Sequence, residues 1–201
     1  MRVYAMCFLL LFMGMSIAFA GQVKYFPDGV LSADERSDQF RSEWYSKQLH
    51  ALNEPSLWEL SNSKDEGRES YRLLWLRTFH HPVAVRVDIG ANGVGRLFLK
   101  MANGAGGYAP GELMRDETVT LEKVETDQLL TMFKKNGFWT LASLDESKIG
   151  ADGAQWVIEG AKGGRYHIVD RWSPTDGAVR VIGLSLIKDF AKLKIPTKEI
   201  Y

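Results

Sequence analysis

Three runs of alternating residues, at 71–79, 83–89 and 96–101, constrain this fold most, because each has a period of two and each ends in a turn signal. In the first, Leu73, Trp75, Arg77 and Phe79 alternate with Leu74, Leu76 and Thr78. His80-His81-Pro82 breaks it, and Val83, Val85, Val87 and Ile89 then face away from Arg86 and Asp88. Ala91-Asn92-Gly93 turns the chain again. Leu97, Leu99 and Met101 extend the apolar face while Arg96, Phe98 and Lys100 take the other. Consecutive strands with short connections predict an antiparallel meander.

The period changes beyond residue 102. The stretch 102–111 (ANGAGGYAPG) reads as a plain loop, because it lacks Gly-Lys-Ser/Thr and dinucleotide spacing. A short extended piece at 118–121 leads into a helix over 122–136. There Leu129, Leu130 and Phe133 share a side and Gly137 is the stop. Runs at 155–160 and 165–172 flank Ala161-Lys162-Gly163-Gly164 as a hairpin. Ser173-Pro174 then breaks the sheet. Asp176 is placed to cap a last helix carrying Val179, Ile182, Leu186, Phe190 and Leu193, which ends at Pro196. The order predicts an α+β domain: an antiparallel sheet of about five strands with helices on one face, plus an N-terminal helix.

That N-terminal helix is expected from Ser32, which with Glu35 reads as a capping box, and it puts Phe40, Trp44 and Tyr45 on one aromatic stripe. Pro55 interrupts it. The polar stretch 61–70 reads as an exposed linker, so residues 21–70 form a helical segment plus linker and 71–201 the α+β domain. The helix is free either to pack back on the sheet or to dock on a partner.

Residues 1–20 read as a secretory signal peptide: Arg2, an apolar run, then Ala18-Phe19-Ala20 before Gly21. The run is shorter than the roughly 20 residues that cross a bilayer core, and Cys7 lies inside it rather than at the cleavage junction. The expectation is therefore export to the periplasm, or secretion, with no stable membrane anchor after cleavage and no lipid anchor. Cys7 is the only cysteine, so the mature chain folds without a disulfide. The chain has 25 basic and 25 acidic residues, and loss of Arg2 tips it to one net negative charge, which gives no bulk reason to expect nucleic acid. The 45% apolar and 25% charged shares are ordinary for a globular domain.

The strings Gly106-Gly107-Tyr108, Phe138-Trp139, Trp156-Val157-Ile158-Glu159-Gly160 and, above all, Tyr166-His167-Ile168-Val169-Asp170-Arg171-Trp172-Ser173-Pro174 carry a resemblance. The chain resembles an uncharacterised family of bacterial exported proteins. The resemblance spans about residues 71–193 and implies no activity, substrate, cofactor or catalytic residue.

With residues 161–164 as the hairpin loop, Gln155 lies opposite Asp170 and Glu159 opposite Tyr166, a polar stripe on one face. A turn of Gly163-Gly164 alone shifts every partner by two. Glu159 and Asp170 are a candidate acid and base pair for glycoside hydrolysis. The plainer reading has Asp170 capping the 173–174 turn or pairing with an arginine from a neighbouring strand, and Glu159 as a solvated edge charge. Arg77, Arg86, Arg96, Lys100 and Arg171 are candidates for a basic face that holds an anionic ligand, or are solvated charges. His50, His80, His81 and His167 do not converge as metal ligands, and no nucleophile motif is present. No cofactor is implied. The leading reading is binding rather than catalysis: a binding or inhibitory module whose Arg77, Arg86, Arg171 and Trp172 engage an envelope protein or an anionic polysaccharide. The alternative is an envelope polysaccharide hydrolase using Glu159 and Asp170.

Overall fold

The computed structural model describes residues 23–63, 67–145 and 150–201. The proposed signal peptide therefore lies outside the described residues, as do the middle of the expected linker and part of the connection before residue 150.

The chain is α+β, built on a six-stranded antiparallel sheet. Its strands are β1 (Glu69–Arg77), β2 (Val83–Ile89), β3 (Gly95–Ala102), β4 (Leu113–Leu121), β5 (Ala154–Lys162) and β6 (Arg165–Trp172), in the order β4-β3-β2-β1-β5-β6. The meander is extended by one strand: the short piece expected at 118–121 is the end of a nine-residue edge strand. That strand is hard to see in sequence because Arg115, Asp116 and Glu117 interrupt its apolar residues. Charge of this kind suits an edge that has a partner on one side only.

Alternation along the strands creates two apolar faces, and both are covered. Leu73, Trp75, Val83, Val85, Val87, Leu97, Leu99, Trp156, Ile158 and Val169 form one core. It is closed by helix α3 (Lys123–Lys135), a 3-10 turn at Phe138–Thr140, and α4 (Gly177–Leu184) with its π-helical extension Ser185–Phe190. The α3 start was anticipated within a residue: Glu122 is its N-cap and forms a capping box with Glu125. Trp75 and Trp156 meet at 5.2 Å between ring centroids, both fully buried. Full burial of one large apolar side chain contributes on the order of 1.5–3 kcal/mol.

The opposite face of Leu74, Leu76, Ala84, Val157 and Ile168 is covered by Tyr25, Phe26, Leu31 and helix α1 (Glu35–Ala51), which contributes Tyr45 and Leu49. Helices thus lie on both faces, and the N-terminal helix packs back on the sheet. A short helix α2 (Leu57–Ser61) sits beside it, with Trp58 against Tyr166 edge-on at 5.6 Å. The α1 cap is Asp34, whose carboxylate accepts from the Ser37 N–H, two residues later than the expected Ser32. Asp176 holds the N-cap position of α4, but its side chain makes no cap bond.

The hairpin turn is the shorter of the two considered. Gly163 and Gly164 have φ of 53° and 76°, as a two-residue type I′ turn requires, and Lys162 pairs with Arg165. Gln155 therefore lies opposite Trp172, and Glu159 opposite Ile168. A shift of two preserves the face, so Gln155, Glu159, Tyr166 and Asp170 still point to the same side, the side that α1 and α2 cover.

Candidate ligand cleft and the charged layer beside it

The sheet face under α1 and α2 divides into two polar regions. Beneath Glu54 and Pro55, Arg72 is fully buried, and its Nε donates to Glu159 Oε2 at 2.8 Å while Nη1 donates to the Pro55 carbonyl at 2.7 Å. Tyr166 donates to the other oxygen of Glu159 at 2.9 Å. Arg86 Nε donates to Glu54 Oε2 at 2.9 Å, and its Nη1 bonds Asp88, which also accepts from Arg68 and Ser70. Lys100 donates to the Asn53 carbonyl at 2.6 Å. Burial by itself would raise the Asp88 carboxyl, but the hydrogen bond and charge of Arg86, with Ser70 and Arg68, outweigh it and hold the group below its ordinary value.

These contacts decide the fate of the sequence candidates. Glu159 is not a solvated edge charge: it is completely buried, with both oxygens bonded. Arg86 and Lys100 are buried in the same layer. Arg77 lies on the opposite face, stacked over Trp75 at 4.1 Å and reaching the Glu199 carbonyl. Arg171 lies on the face opposite the Asp170 carboxylate and donates to the backbone carbonyls of Ala142, Ser143 and Asp170. Arg77, Arg86 and Arg171 therefore do not share a face. His80 bonds the Tyr201 hydroxyl, His81 the Gly104 carbonyl, and no metal-holding cluster occurs among the described residues.

Asp170 belongs to the second region, under α1. It pairs with an arginine, as one sequence reading held, but the arginine comes from α1 rather than a strand: Arg41 Nη1 donates to Asp170 Oδ2 at 3.2 Å. Tyr45 donates to the same oxygen at 2.7 Å and accepts from Gln155 Nε2 at 2.8 Å. Asp170 Oδ1 and Gln155 Oε1 have no partner in the protein. Burial is the largest influence on Asp170 and raises its carboxyl, with Tyr45 and Arg41 only partly countering it. Burial and the adjacent carboxylate push the Tyr45 hydroxyl well up, which keeps it a donor.

Above this cluster opens a cleft of about 730 Å³, a size suited to a small ligand. One wall is the α1 stripe of Phe40, Trp44 and Tyr45, with Arg36 and Arg41 on the same helix; Trp172 and Gln155 contribute from the hairpin. Phe40 and Trp44 stack at 6.4 Å with 14° between their planes. The other wall is Gly106-Gly107-Tyr108. An added Cβ on Gly106 would come within 2.7 Å of the Leu76 and Arg77 backbone, and one on Gly107 within 2.8 Å of Thr78. The loop can lie flat on the end of β1 only because both residues are glycine. It is fastened there by Gly106 N–H to the His80 carbonyl and by Gln48, which donates to the Tyr108 carbonyl at 3.1 Å. Tyr108 is left 58% exposed and Phe40 67%, both on the cleft.

Trp172 is the one proposed binding residue that lines the cleft. Sequence reasoning placed the α1 aromatic stripe but missed Arg36, Arg41 and the glycine loop as parts of one site, because that requires knowing that α1 folds back across β5 and β6. No protein-family model matches the chain, and no curated protein matches it.

Proposed function

We propose that this chain is an exported binding module whose ligand, an envelope protein or an anionic polymer, is held in the α1 cleft. The carrying observation is a cavity in which exposed aromatic residues from α1 and the glycine loop stand beside two arginines, with the hydrogen-bonded Tyr45 and Gln155 at its floor. Aromatic rings bring large contact area at low entropic cost, and arginines recognise carboxylate or phosphate by paired N–H donors. Binding is favoured over hydrolysis by a carboxylate pair, since Glu159 is sealed in its ion pair with Arg72 and does not line the cleft.

The test is retention of an acidic envelope-polymer fraction on immobilised protein, comparing wild type with Arg36→Ala/Tyr108→Ala, both exposed side chains whose loss leaves the core intact. Loss of retention supports the proposal, and unchanged retention removes the cleft from it. Export is tested separately: mass analysis of protein recovered from the periplasm should give an N-terminus at Gly21, whereas an intact Met1 would refute cleavage.

A further inference from the structure

We propose that the ligand group held in the cleft is an acidic sugar, a pyranose ring bearing a carboxylate within an oligosaccharide; this rests on the reading of the cleft as the binding site. Three separate features of the walls converge on that chemistry. The first is flat apolar surface. Phe40 and Trp44 are stacked in parallel on α1 and Tyr108 stands exposed on the loop, so a ring presenting a face of C–H groups finds aromatic surface on two elements of the cleft.

The second is charge. Arg36 lines the cleft, is exposed, and makes no ion pair among the described residues. Arg41 is committed to Asp170, whose single negative charge it already balances. Among the described lining residues this leaves one uncompensated positive charge, which favours an anion and disfavours an ammonium group despite the aromatic walls.

The third is the pair of free acceptors. Gln155 lines the floor and bonds Asp170 in one cluster, in which Gln155 Oε1 and Asp170 Oδ1 are sealed from solvent and have no partner in the protein. A buried acceptor left unpaired is costly, so a ligand hydroxyl that meets the Gln155 amide as its side chain turns toward the cleft is favoured. An aromatic or fatty carboxylate supplies the anion and the apolar face but no donor. A uronic acid supplies all three: ring face, carboxylate and hydroxyl donors.

The experiment is titration calorimetry of the purified protein with trigalacturonic acid, its methyl ester and the peptide Glu-Tyr-Glu. The acid should bind about tenfold or more tightly than the ester, the size of one charge-assisted hydrogen bond. Arg36→Ala should erase that preference, and Tyr108→Ala should weaken acid and ester alike. Equal affinity for acid and ester, or tighter binding of the peptide, overturns the sugar assignment. Failure of all three probes while wild type still retains the acidic polymer fraction through the cleft overturns the sugar and spares the cleft. Retention that ignores the cleft variants defeats both.

Discussion

Two carboxylates on one sheet face, Glu159 and Asp170, show how burial with and without sufficient partners sets opposite expectations. Glu159 has both oxygens bonded, and Arg72 in turn holds Glu54. Arg72→Met would leave the buried Glu159 without a cation, while Glu54 keeps Arg86 and Lys100, and should cost about 3–5 kcal/mol in urea unfolding. The double change Arg72→Met/Glu159→Leu should recover part of that loss. Asp170 is the reverse case, because desolvation raises its carboxyl above the ordinary value. A group that binds its proton more tightly when folded loses stability as pH rises, starting near its unfolded value of about 4 and ending once the raised folded value is passed. Asp170→Asn removes that penalty. Urea unfolding should find the variant gaining on wild type as pH increases through this window; a variant losing ground over the same window would mean Arg41 and Tyr45 favour the charged form after all. Asp88 adds the opposite slope. Its folded value is depressed, so its contribution is present above about pH 4 and is lost as pH falls through the lower folded value.

Among the elements, the glycine loop has the most demanding fit. Gly106→Ala drives a Cβ into the β1 backbone rather than into a flexible side chain, so the loop must lift. A loss of about 1–3 kcal/mol is expected by urea unfolding, together with faster hydrogen exchange at residues 104–108. Gly29→Ala is a useful contrast, because its site has open space but a φ of 74°, where strain alone acts. Legibility in the sequence followed the same distinction between local and distant causes. β1, β2, β3, α3 and the hairpin were readable because period and turn residues are local signals. The two-glycine turn was readable only as one of two registers, since both place the same residues on the same face. β4 was largely hidden by its edge charges. The second helical layer was not readable, because it depends on Leu74, Leu76, Val157 and Ile168 finding Tyr45 and Leu49 more than twenty residues earlier.

At the scale of the molecule, both apolar faces of the sheet are covered and the β4 side stays exposed, which moves the expected binding surface from the central strands to a border between layers. Arg77 and Arg86 are consumed in holding those layers, and the arginine that lines the cleft with no ion pair among the described residues is Arg36 of α1. The domain division expected near residue 70 is correspondingly blurred: α1 and α2 complete one core and supply Glu54 to the charged layer. Among the described residues, no helix is long and apolar enough to cross a membrane. The central claim is that ligand binding occurs at the α1 border, and its most direct test is hydrogen exchange of the protein with and without the acidic envelope-polymer fraction. The account predicts slowed exchange confined to residues 36–45 and 104–108, with β4 and α3 unchanged. Protection restricted to the β4 edge or to α3, with the α1 border unaffected, would contradict it.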